Sequence, residues 1–203
     1  MSATQKQKSI KSLHESAELA GFLRPLEIST KSMVPLGVNL SAFNLKAKSI
    51  TAGRLFTVET LYQSSKVFEK GGPYRDILDG TSKEAKKDSR LLNSGRLIGF
   101  NLFGEEWPLE PKTAFYDWIY INCLAKNESL GEIIDQYGCF SDIEFNPKKS
   151  INCQAYAVAL YQSLAFRGLL KNALSSKNRY LSIVENRPLS DSVEDNGVQP
   201  RLL

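Results

Sequence analysis

The sequence predicts a single, helix-dominated α+β domain with a small β-hairpin or sheet near its N-terminal half. The chain has 203 residues, of which 42% are hydrophobic and 24% are charged, a balance that fits one domain with a full core. Capping signals and helical periodicity recur along the chain, whereas apolar and polar residues alternate over residues 38–47. No internal repeat or convincing domain boundary is visible in the sequence.

The N-terminal half is expected to hold two helices separated by extended chain. The first helix begins at a capping box formed by Ser12 and Glu15. The extended chain folds into a hairpin that leads directly into the second helix. The predicted elements are a helix over residues 12–21, extended chain over 26–50, a turn at 51–53, a helix over 57–68 and a turn at 71–73.

The C-terminal half is expected to consist of helices joined by loops. Hydroxyl residues or a proline mark where these helices begin, and glycines mark two of their ends. From Glu185 onward Pro, Ser, Asp, Asn and Gly dominate, which predicts a mobile tail. The predicted helices cover residues 81–92, 111–127, 129–138 and 151–166, and the predicted loops cover 95–110 and 139–149.

Composition indicates a reduced, cytoplasmic protein. No apolar run approaches the roughly 20 residues of a membrane span, and the polar start MSATQKQKSIKS lacks the apolar region of a signal peptide. Cys123, Cys139 and Cys153 have no CxxC spacing. Cys139 and Cys153 could pair, but free thiols are the simpler expectation. The net charge of +4 permits contact with nucleic acid without arguing for it.

The residue inventory narrows the chemistry that the chain can perform. His14 is the one histidine, so a Ser-His-Asp or Cys-His arrangement would depend on a residue that precedes the main body. The cysteines and this histidine are widely scattered, and the sequence contains neither GxxxxGK[ST] nor GxGxxG. We therefore expect no metal and no cofactor. Catalysis would use Glu, Asp, Lys or Tyr side chains, which favours glycosidic or imine chemistry.

Residues 57–68 carry the most informative pattern in the chain. At about 100° per residue, four side chains fall within roughly an 80° sector of the predicted helix: Glu59, Tyr62, Gln63 and Lys66. Glu59 and Lys66 are too far apart in sequence for the ordinary i,i+4 ion pair. The stripe is either a small polar site on an amphipathic helix or a solvated face, and periodicity alone does not decide between them.

Five segments in order resemble a known family. They are Val38-Asn-Leu-Ser-Ala-Phe43, residues 59–66, Ser94-Gly-Arg96 with Trp107, Ser141-Asp-Ile-Glu-Phe145 and Ile151-Asn-Cys-Gln-Ala155. The NADAR superfamily, a YbiA-like group named for NAD and ADP-ribose, carries [FL]-S-x-F followed by E-x-x-[YF]-Q-x-x-K. Three further motifs come next: a Gly-Arg pair with a downstream Trp, then D-x-x-[WF], and then an Asn near the start of the final helix. The resemblance covers about residues 36–164.

Longer phrases are similar to one bacterial subgroup of this family. They are VPLGVNLSAF, YQSSKVFEKGGPY, AKKDSRLLNSGRLIGF, FYDWIYI and DIEFNPKKSINCQA. The subgroup consists of NADAR antitoxins encoded beside DarT-type toxins that ADP-ribosylate guanine in DNA. Phe145, where YbiA-like members have Trp, agrees with this subgroup. The resemblance implies one NADAR-like catalytic domain over residues 26–184, with an N-terminal extension (1–25) that holds a short helix and a flexible C-terminal tail (185–203).

The resemblance also implies a function. The protein would be a metal-independent N-glycosyl hydrolase that removes ADP-ribose from DNA guanine and acts as the antitoxin to a DarT-type DNA ADP-ribosyltransferase. It would bind ADP-ribosylated DNA and ADP-ribose, and it would be paired functionally with the toxin. No association with a membrane is expected. Two alternatives stay open: an N-glycosidase for a riboflavin-pathway or other ribosyl metabolite, and a non-catalytic ADP-ribose-binding antitoxin.

Roles for individual residues follow from the resemblance and from their chemistry. Glu59 is expected to act as general acid and base, and Lys66 either to hold an opened ribose as an imine or to bind phosphate. Tyr62 and Gln63 would orient ribose hydroxyls, and Arg96 would bind a diphosphate with its guanidinium fork. The expected substrate-binding residues are Ser41, Phe43, Tyr62, Gln63, Arg96, Trp107, Asp142, Phe145 and Asn152.

Overall fold

Two apolar helices pack against each other at the centre of the fold. In the computed structural model, which describes residues 2–48, 53–148 and 150–185, these helices are Ala114–Ala125 and Gln154–Phe166. Ten of the 12 residues of the first helix are buried, as expected of a helix that lacks a polar face. Small residues such as Ala155 and Ala157 are buried in the second helix and allow close approach.

Apart from the 17-residue helix at the N-terminus, the other helices are short, so packing rather than intrinsic propensity holds them in place. Together with the central pair, they give the described part of the chain its predominantly helical character. The helices are α1 (Ala3–Leu19), α2 (Pro35–Leu40), α3 (Val58–Ser64), α4 (Ser82–Lys87), α5 (Arg90–Asn93), α6 (Ala114–Ala125), α7 (Glu128–Ile134), α8 (Gln154–Phe166), α9 (Leu170–Ala173) and α10 (Lys177–Glu185), with a 3-10 helix at Arg75–Asp79.

The strands are short and form small, separate sheets. They are β1 (Pro25–Glu27), β2 (Lys46–Lys48), β3 (Leu55–Thr57), β4 (Lys66–Phe68), β5 (Leu97–Leu102), β6 (Glu105–Trp107) and β7 (Cys139–Ser141). β1 and β7 pair in parallel, β2 and β3 pair antiparallel, and β5 lies between β4 and β6 in an antiparallel sheet. The predicted helix-dominated α+β class is confirmed.

Hydroxyl groups fix where α3 and α4 begin. The Thr57 hydroxyl accepts from the Thr60 amide at 3.1 Å, and the Thr60 hydroxyl accepts from the Thr57 amide at 3.1 Å. The Thr57 and Ser82 hydroxyls are 2.8 Å apart, and Ser82 donates to the Phe43 carbonyl at 2.9 Å. These bonds join the start of α3, the start of α4 and the segment after α2.

Polar contacts attach the N-terminal helix to the rest of the fold. Lys6 donates to the Glu144 carboxylate at 2.7 Å, and Nε2 of His14 lies 2.9 Å from the Ser141 hydroxyl. The Ser141 hydroxyl in turn donates to the buried carboxylate of Glu27. α1 therefore contacts the segment that connects β7 to α8.

The predicted hairpin that leads directly into a helix is confirmed. β2 and β3 pair with Lys46 opposite Thr57, and α3 begins at Val58. Residues 49–52, which hold most of the predicted turn, lie outside the described residues. The hairpin brings the start of α3 to the core, where Val58 is fully buried.

The predicted helix over residues 57–68 is wrong for its last four residues. α3 ends at Ser64, and Lys66 lies on β4 opposite Phe100 of β5. The β-branched and aromatic residues after Lys66 favour a strand, and pairing with β5 outweighs the helical periodicity. Lys66 is therefore presented by a strand and not by the helical face that carries Glu59.

Three further predicted segments differ from the structure. Residues 35–40 form α2 instead of extended chain, because Pro35 at the start of the helix has its φ preset for a helical turn. Residues 95–110, predicted as loop, contain the β5–β6 hairpin, and residues 139–149 contain β7. These strands depend on pairing with β4 and β1, which local sequence patterns do not reveal.

The ends of the chain also differ from the prediction. α1 begins at Ala3 rather than at residue 12, because the Ser2 hydroxyl already caps it. The sequence pattern does not predict α9 and α10, although Tyr180 is fully buried and holds α10 on the core. Residues 186–203, nearly all of the expected tail, lie outside the described residues.

The cysteines are free thiols, which confirms the expectation from their spacing. Burial raises the pKa of Cys123 to about 12 and that of Cys153 to about 11, so both thiols are neutral and unreactive near pH 7. Within the described parts of the chain, we find no helix of the length and apolar character that crossing a membrane requires.

Asp117 is a buried acid in the central helix α6. It is 1% exposed, and its Oδ1 atom has no hydrogen-bond partner among the residues that the structure describes. Burial raises its pKa to about 7, against the opposing effect of a hydrogen bond from Thr113. A carboxyl group whose pKa rises on folding destabilises the folded state as pH increases from the unfolded to the folded pKa.

We expect Asp117→Asn to gain stability over the wild type as pH rises. Because a tenfold difference in proton affinity is worth about 1.4 kcal/mol, its advantage should grow by roughly 2–3 kcal/mol between pH 5 and pH 8. Urea unfolding at both pH values measures this difference. Asp135→Asn, an exposed change of the same type, is the control. An advantage that is equal at the two pH values would contradict the raised pKa of Asp117.

Candidate functional site

An open cavity of about 750 Å³ lies where α3, β4 and α4 face the segment between β7 and α8. Its wall combines carboxylate, amide, amine, hydroxyl and aromatic groups. In the described part of the chain, no three His, Cys, Asp or Glu side chains are placed to hold a metal ion. The lining residues are Thr30, Ala42, Phe43, Glu59, Tyr62, Gln63, Lys66, Lys86, Leu97, Tyr116, Asp142, Glu144, Phe145, Asn146, Lys148, Ser150, Ile151, Asn152 and Gln154.

Glu59 occupies the first turn of α3 and is 6% exposed. Its backbone amide donates to the Ala42 carbonyl at 3.0 Å, and one turn later Gln63 Nε2 donates to Glu59 Oε1 at 2.9 Å. The Oε1 atom of Gln63 is buried and has no hydrogen-bond partner among the described residues. An unpaired buried acceptor is costly, so this oxygen marks a place where a ligand hydroxyl can bind.

Lys66 reaches the same cavity from β4. Its ammonium lies 4.8 Å from the centre of the Tyr62 ring, and none of the described carboxylates forms an ion pair with it. Burial lowers the pKa of Lys66 to about 8; the Glu59 carboxylate opposes this effect and the charge of Lys86 adds to it. About a tenth of the amine is consequently neutral and nucleophilic at pH 7.

Tyr62 connects these two residues to the aromatic core. Its ring packs at 5.6 Å from Phe100 and 6.2 Å from Phe115, and it meets Tyr116 edge-on at 5.3 Å. Burial raises its pKa to about 12, although a hydrogen bond with the Asn152 side chain opposes that change. The Tyr62 hydroxyl is therefore protonated at pH 7 and can position a ligand, but it is a poor base.

A chain of hydrogen bonds forms the opposite wall. Asp142 Oδ2 accepts from the backbone amide of Gln154 at 3.0 Å and from its side-chain amide at 3.1 Å. Gln154 Oε1 accepts from the Ala42 amide at 2.6 Å. Burial raises the pKa of Asp142, and the bonds from Gln154 oppose that effect. The Asp142 carboxylate thereby holds the segment after β7 against the segment after α2.

Aromatic and basic side chains complete the cavity wall. Phe43 and Phe145 are half-buried, so each offers a ring on which a base can stack. The Lys86 ammonium lies 5.2 Å from the centre of the Phe43 ring. Lys148 is exposed, whereas the acidic Glu144 is paired with a lysine of α1. The wall therefore offers aromatic faces to a base and ammonium groups to an anionic part of a ligand.

The structure brings most of the predicted site residues together in this one cavity. Asn152 precedes α8, which begins at Gln154, and does not lie in the first helical turn as predicted. Its backbone amide donates to the Ser150 hydroxyl at 3.2 Å. The predicted residues that line the cavity are Phe43, Glu59, Tyr62, Gln63, Lys66, Asp142, Phe145 and Asn152.

Three predicted residues are engaged elsewhere. Ser41 is 1% exposed, and its hydroxyl donates to the Val38 carbonyl at 2.7 Å within the turn after α2. Arg96 is exposed and forms an ion pair with Glu69 at 3.0 Å. Trp107 is 3% exposed and packs among the core aromatic rings, which leaves no face for a base. None of these three residues lines the cavity.

Sequence patterns do not single out several other residues of the cavity. Tyr116 lies on the largely apolar helix α6, within the family-like phrase FYDWIYI, and that phrase is the signal that could have found it. Gln154 falls within the family-like phrase around Asn152, and that phrase is the signal that could have found it. Lys86 lies in the family-like phrase that begins at Ala85, but it is one of several lysines on α4, and its position in the cavity depends on how that helix packs.

The sequence also matches a model of a protein family. The match covers residues 1–194, and the family is described as the DarT1-associated NADAR antitoxins. No curated protein matches the chain. Since the match extends over far more than half of the sequence, the chain belongs to the DarT1-associated NADAR antitoxin family.

Proposed function

We propose that this protein hydrolyses the N-glycosidic bond between ADP-ribose and guanine in DNA and thereby acts as the antitoxin to a DarT-type ADP-ribosyltransferase. The observation that carries this proposal is the convergence of Glu59 and Lys66 on one cavity, from α3 and from β4. An oriented carboxylate and a partly neutral amine are groups that such a cleavage uses. Membership of the antitoxin family supports the same reaction.

The size and composition of the cavity suit ADP-ribose. Its volume of about 750 Å³ lies within the range of about 300–1,000 Å³ found for small-molecule sites. Phe43 and Phe145 offer aromatic faces for a base, and the unpaired Gln63 oxygen and the Tyr62 hydroxyl offer partners for ribose hydroxyls. The basic side chains of the wall favour a ligand that carries phosphate.

Glu59 is the proposed general acid and base. The glycosidic nitrogen leaves with its electron pair, so it has to receive a proton. In its acid form Glu59 donates that proton to the departing guanine nitrogen, and its carboxylate then takes a proton from the attacking water. The hydrogen bond from Gln63 keeps the carboxyl group oriented in the cavity.

Lys66 allows the same hydrolysis to proceed through a covalent intermediate, an imine between its amine and the opened ribose. When the ribose ring opens, its anomeric carbon and the exocyclic amine of guanine form an imine, which the neutral Lys66 amine attacks. The guanine amine leaves with a proton supplied through Glu59, and the sugar stays on Lys66 as an imine. Water then adds to that carbon, Lys66 departs, and the ribose ring closes. The net reaction consumes one water molecule and releases ADP-ribose and unmodified guanine.

Replacing Glu59 by Gln should lower the hydrolysis rate by about 100-fold or more, because general acid–base catalysis contributes about 10²–10⁴-fold. The amide retains the size of the side chain but cannot exchange the proton. The measurement is chromatographic release of ADP-ribose from an oligonucleotide that carries ADP-ribosyl-guanine. Glu132→Gln, an exposed change on α7, is the control and should react like the wild type.

Three results, from this assay, from a cell-protection assay and from an assay with a free metabolite, would contradict the proposal or favour an alternative. If the wild-type protein releases no ADP-ribose, the proposed hydrolase activity is refuted. If Glu59→Gln still protects cells from the toxin, a non-catalytic ADP-ribose-binding antitoxin is favoured. If a free ribosyl metabolite turns over faster than modified DNA, the metabolite N-glycosidase is favoured.

Borohydride added during turnover should trap ADP-ribose on Lys66, as identified by peptide mass spectrometry. Reduction converts a reversible imine into a stable secondary amine, whereas a lysine that only binds phosphate gives no adduct. Lys66→Arg keeps the positive charge but cannot form an imine at neutral pH, so it should bind modified DNA and lose most of its turnover. Near-normal turnover in Lys66→Arg would exclude the imine and leave Glu59 with water as the mechanism.

The reactivity of Lys66 toward an amine-labelling reagent should rise with pH, with its midpoint near pH 8. Only the neutral amine reacts, and burial lowers the pKa of Lys66 to about 8. Glu59→Gln should move the midpoint to lower pH, because the carboxylate charge raises that pKa. Mass spectrometry measures the labelling, with the exposed Lys83 in the same sample as reference. A midpoint near the ordinary lysine pKa of about 10.4 would contradict this account.

A further inference from the structure

Lys86 is a cation of the cavity wall whose charge is not neutralised within the described residues. It lies in the last turn of α4, and its ammonium is 5.2 Å from the centre of the Phe43 ring. Across residues 2–48, 53–148 and 150–185, no carboxylate forms an ion pair with Lys86. By contrast, the acidic Glu144 of the same wall is paired with Lys6 at 2.7 Å. Positive charge therefore remains available to a ligand.

The position of Lys86 is defined because α4 is fixed at its start. The Glu84 carboxylate accepts from the Thr81 amide at 2.8 Å, and the Thr81 hydroxyl accepts from the Glu84 amide at 3.3 Å. Ser82 donates to the Phe43 carbonyl at 2.9 Å. Residues four apart share a helical face, so Lys86 follows Ser82 on the side of α4 that meets Phe43.

Lys86 and Lys66 act on the same part of the cavity. Both line it, and the charge of Lys86 lowers the pKa of Lys66. An anion held by Lys86 would thus lie beside the proposed nucleophile. Arg96, which the sequence indicated for the diphosphate, is paired with Glu69 and does not line the cavity. Lys86 is the better placed cation for that group.

We infer that Lys86 binds a phosphate group of the substrate, with its ammonium held over the Phe43 ring on the wall that also presents Lys66. Lysine donates charge-assisted hydrogen bonds to phosphate oxygens through three N–H groups. Two sources carry phosphate here, the diphosphate of ADP-ribose and the DNA backbone. The diphosphate is the assigned source, because Lys86 lines the cavity that suits ADP-ribose. The inference rests on the proposed function, since it assigns a subsite within that same cavity.

Calorimetric titration of the intact protein with ADP-ribose and, separately, with unmodified single-stranded DNA tests this inference. Lys86→Gln should weaken ADP-ribose binding by about tenfold or more, because a hydrogen bond to a charged group is lost. Lys83→Gln removes the same charge at an exposed position of the same helix that does not line the cavity, and should bind like the wild type. Lys86→Arg should retain most of the affinity. Thermal melts of all variants confirm that each is folded.

Equal ADP-ribose affinity in Lys86→Gln and Lys83→Gln would overturn the inference. A loss confined to unmodified DNA would assign the phosphate to the DNA backbone and overturn the diphosphate assignment. Because binding is measured without cleavage, a wild-type protein that binds ADP-ribose but fails to hydrolyse modified DNA refutes the proposed activity alone. If the wild type binds no ADP-ribose, the role of Lys86 fails whatever the hydrolysis result.

Discussion

The cavity depends on the backbone of the short segment after α2, which is hydrogen-bonded to three of the elements around it. The Ala42 amide donates to the Gln154 side chain at 2.6 Å, and the Ala42 carbonyl accepts from the Glu59 amide at 3.0 Å. The next carbonyl, that of Phe43, accepts from Ser82 at 2.9 Å. These bonds hold the starts of α8, α3 and α4 around one stretch of main chain. Supporting hydrogen bonds of this kind help to keep the side chains of a site in a fixed geometry.

Within this frame, burial sets the protonation state of the groups that face the ligand. It lowers the pKa of Lys66 toward neutrality, and it raises that of Tyr62 and that of Asp142. The Glu59 carboxylate limits the effect on Lys66, so the amine keeps both a charged and a neutral fraction. A carboxylate and an amine in one partly desolvated cavity can therefore exchange protons with a substrate and also offer a nucleophile. The carboxylate and the amine can act together only because α3 and β4 bring both side chains to the same cavity.

Sequence patterns identify many residues of the cavity but do not predict the secondary structure that carries them or their contacts in the folded chain. The interval from Glu59 to Lys66 marks two cavity residues correctly, yet helical periodicity places Lys66 on α3, because pairing of β4 with β5 is a non-local interaction. Trp107 and Arg96 fit family-like spacing, but burial of the first and the ion pair of the second are visible only in the folded chain. Lys86 lies in a family-like phrase, but its place in the cavity follows from the packing of α4 on the segment after α2. The class of the fold and the β2–β3 hairpin follow from periodicity, capping and turn signals, whereas the β1–β7 and β4–β5 pairings follow from contacts between distant segments.

The central claim is that Glu59 and Lys66 face the same sugar carbon in one cavity, Glu59 from α3 and Lys66 from β4. A crystal structure of Glu59→Gln with an oligonucleotide that carries ADP-ribosyl-guanine tests this claim most directly. The account predicts that the anomeric carbon lies in the cavity, with the Lys66 amine about 3–3.5 Å from it and the substituted side chain at position 59 within hydrogen-bonding distance of the glycosidic nitrogen. An anomeric carbon outside the cavity, or one that neither residue approaches, would contradict it.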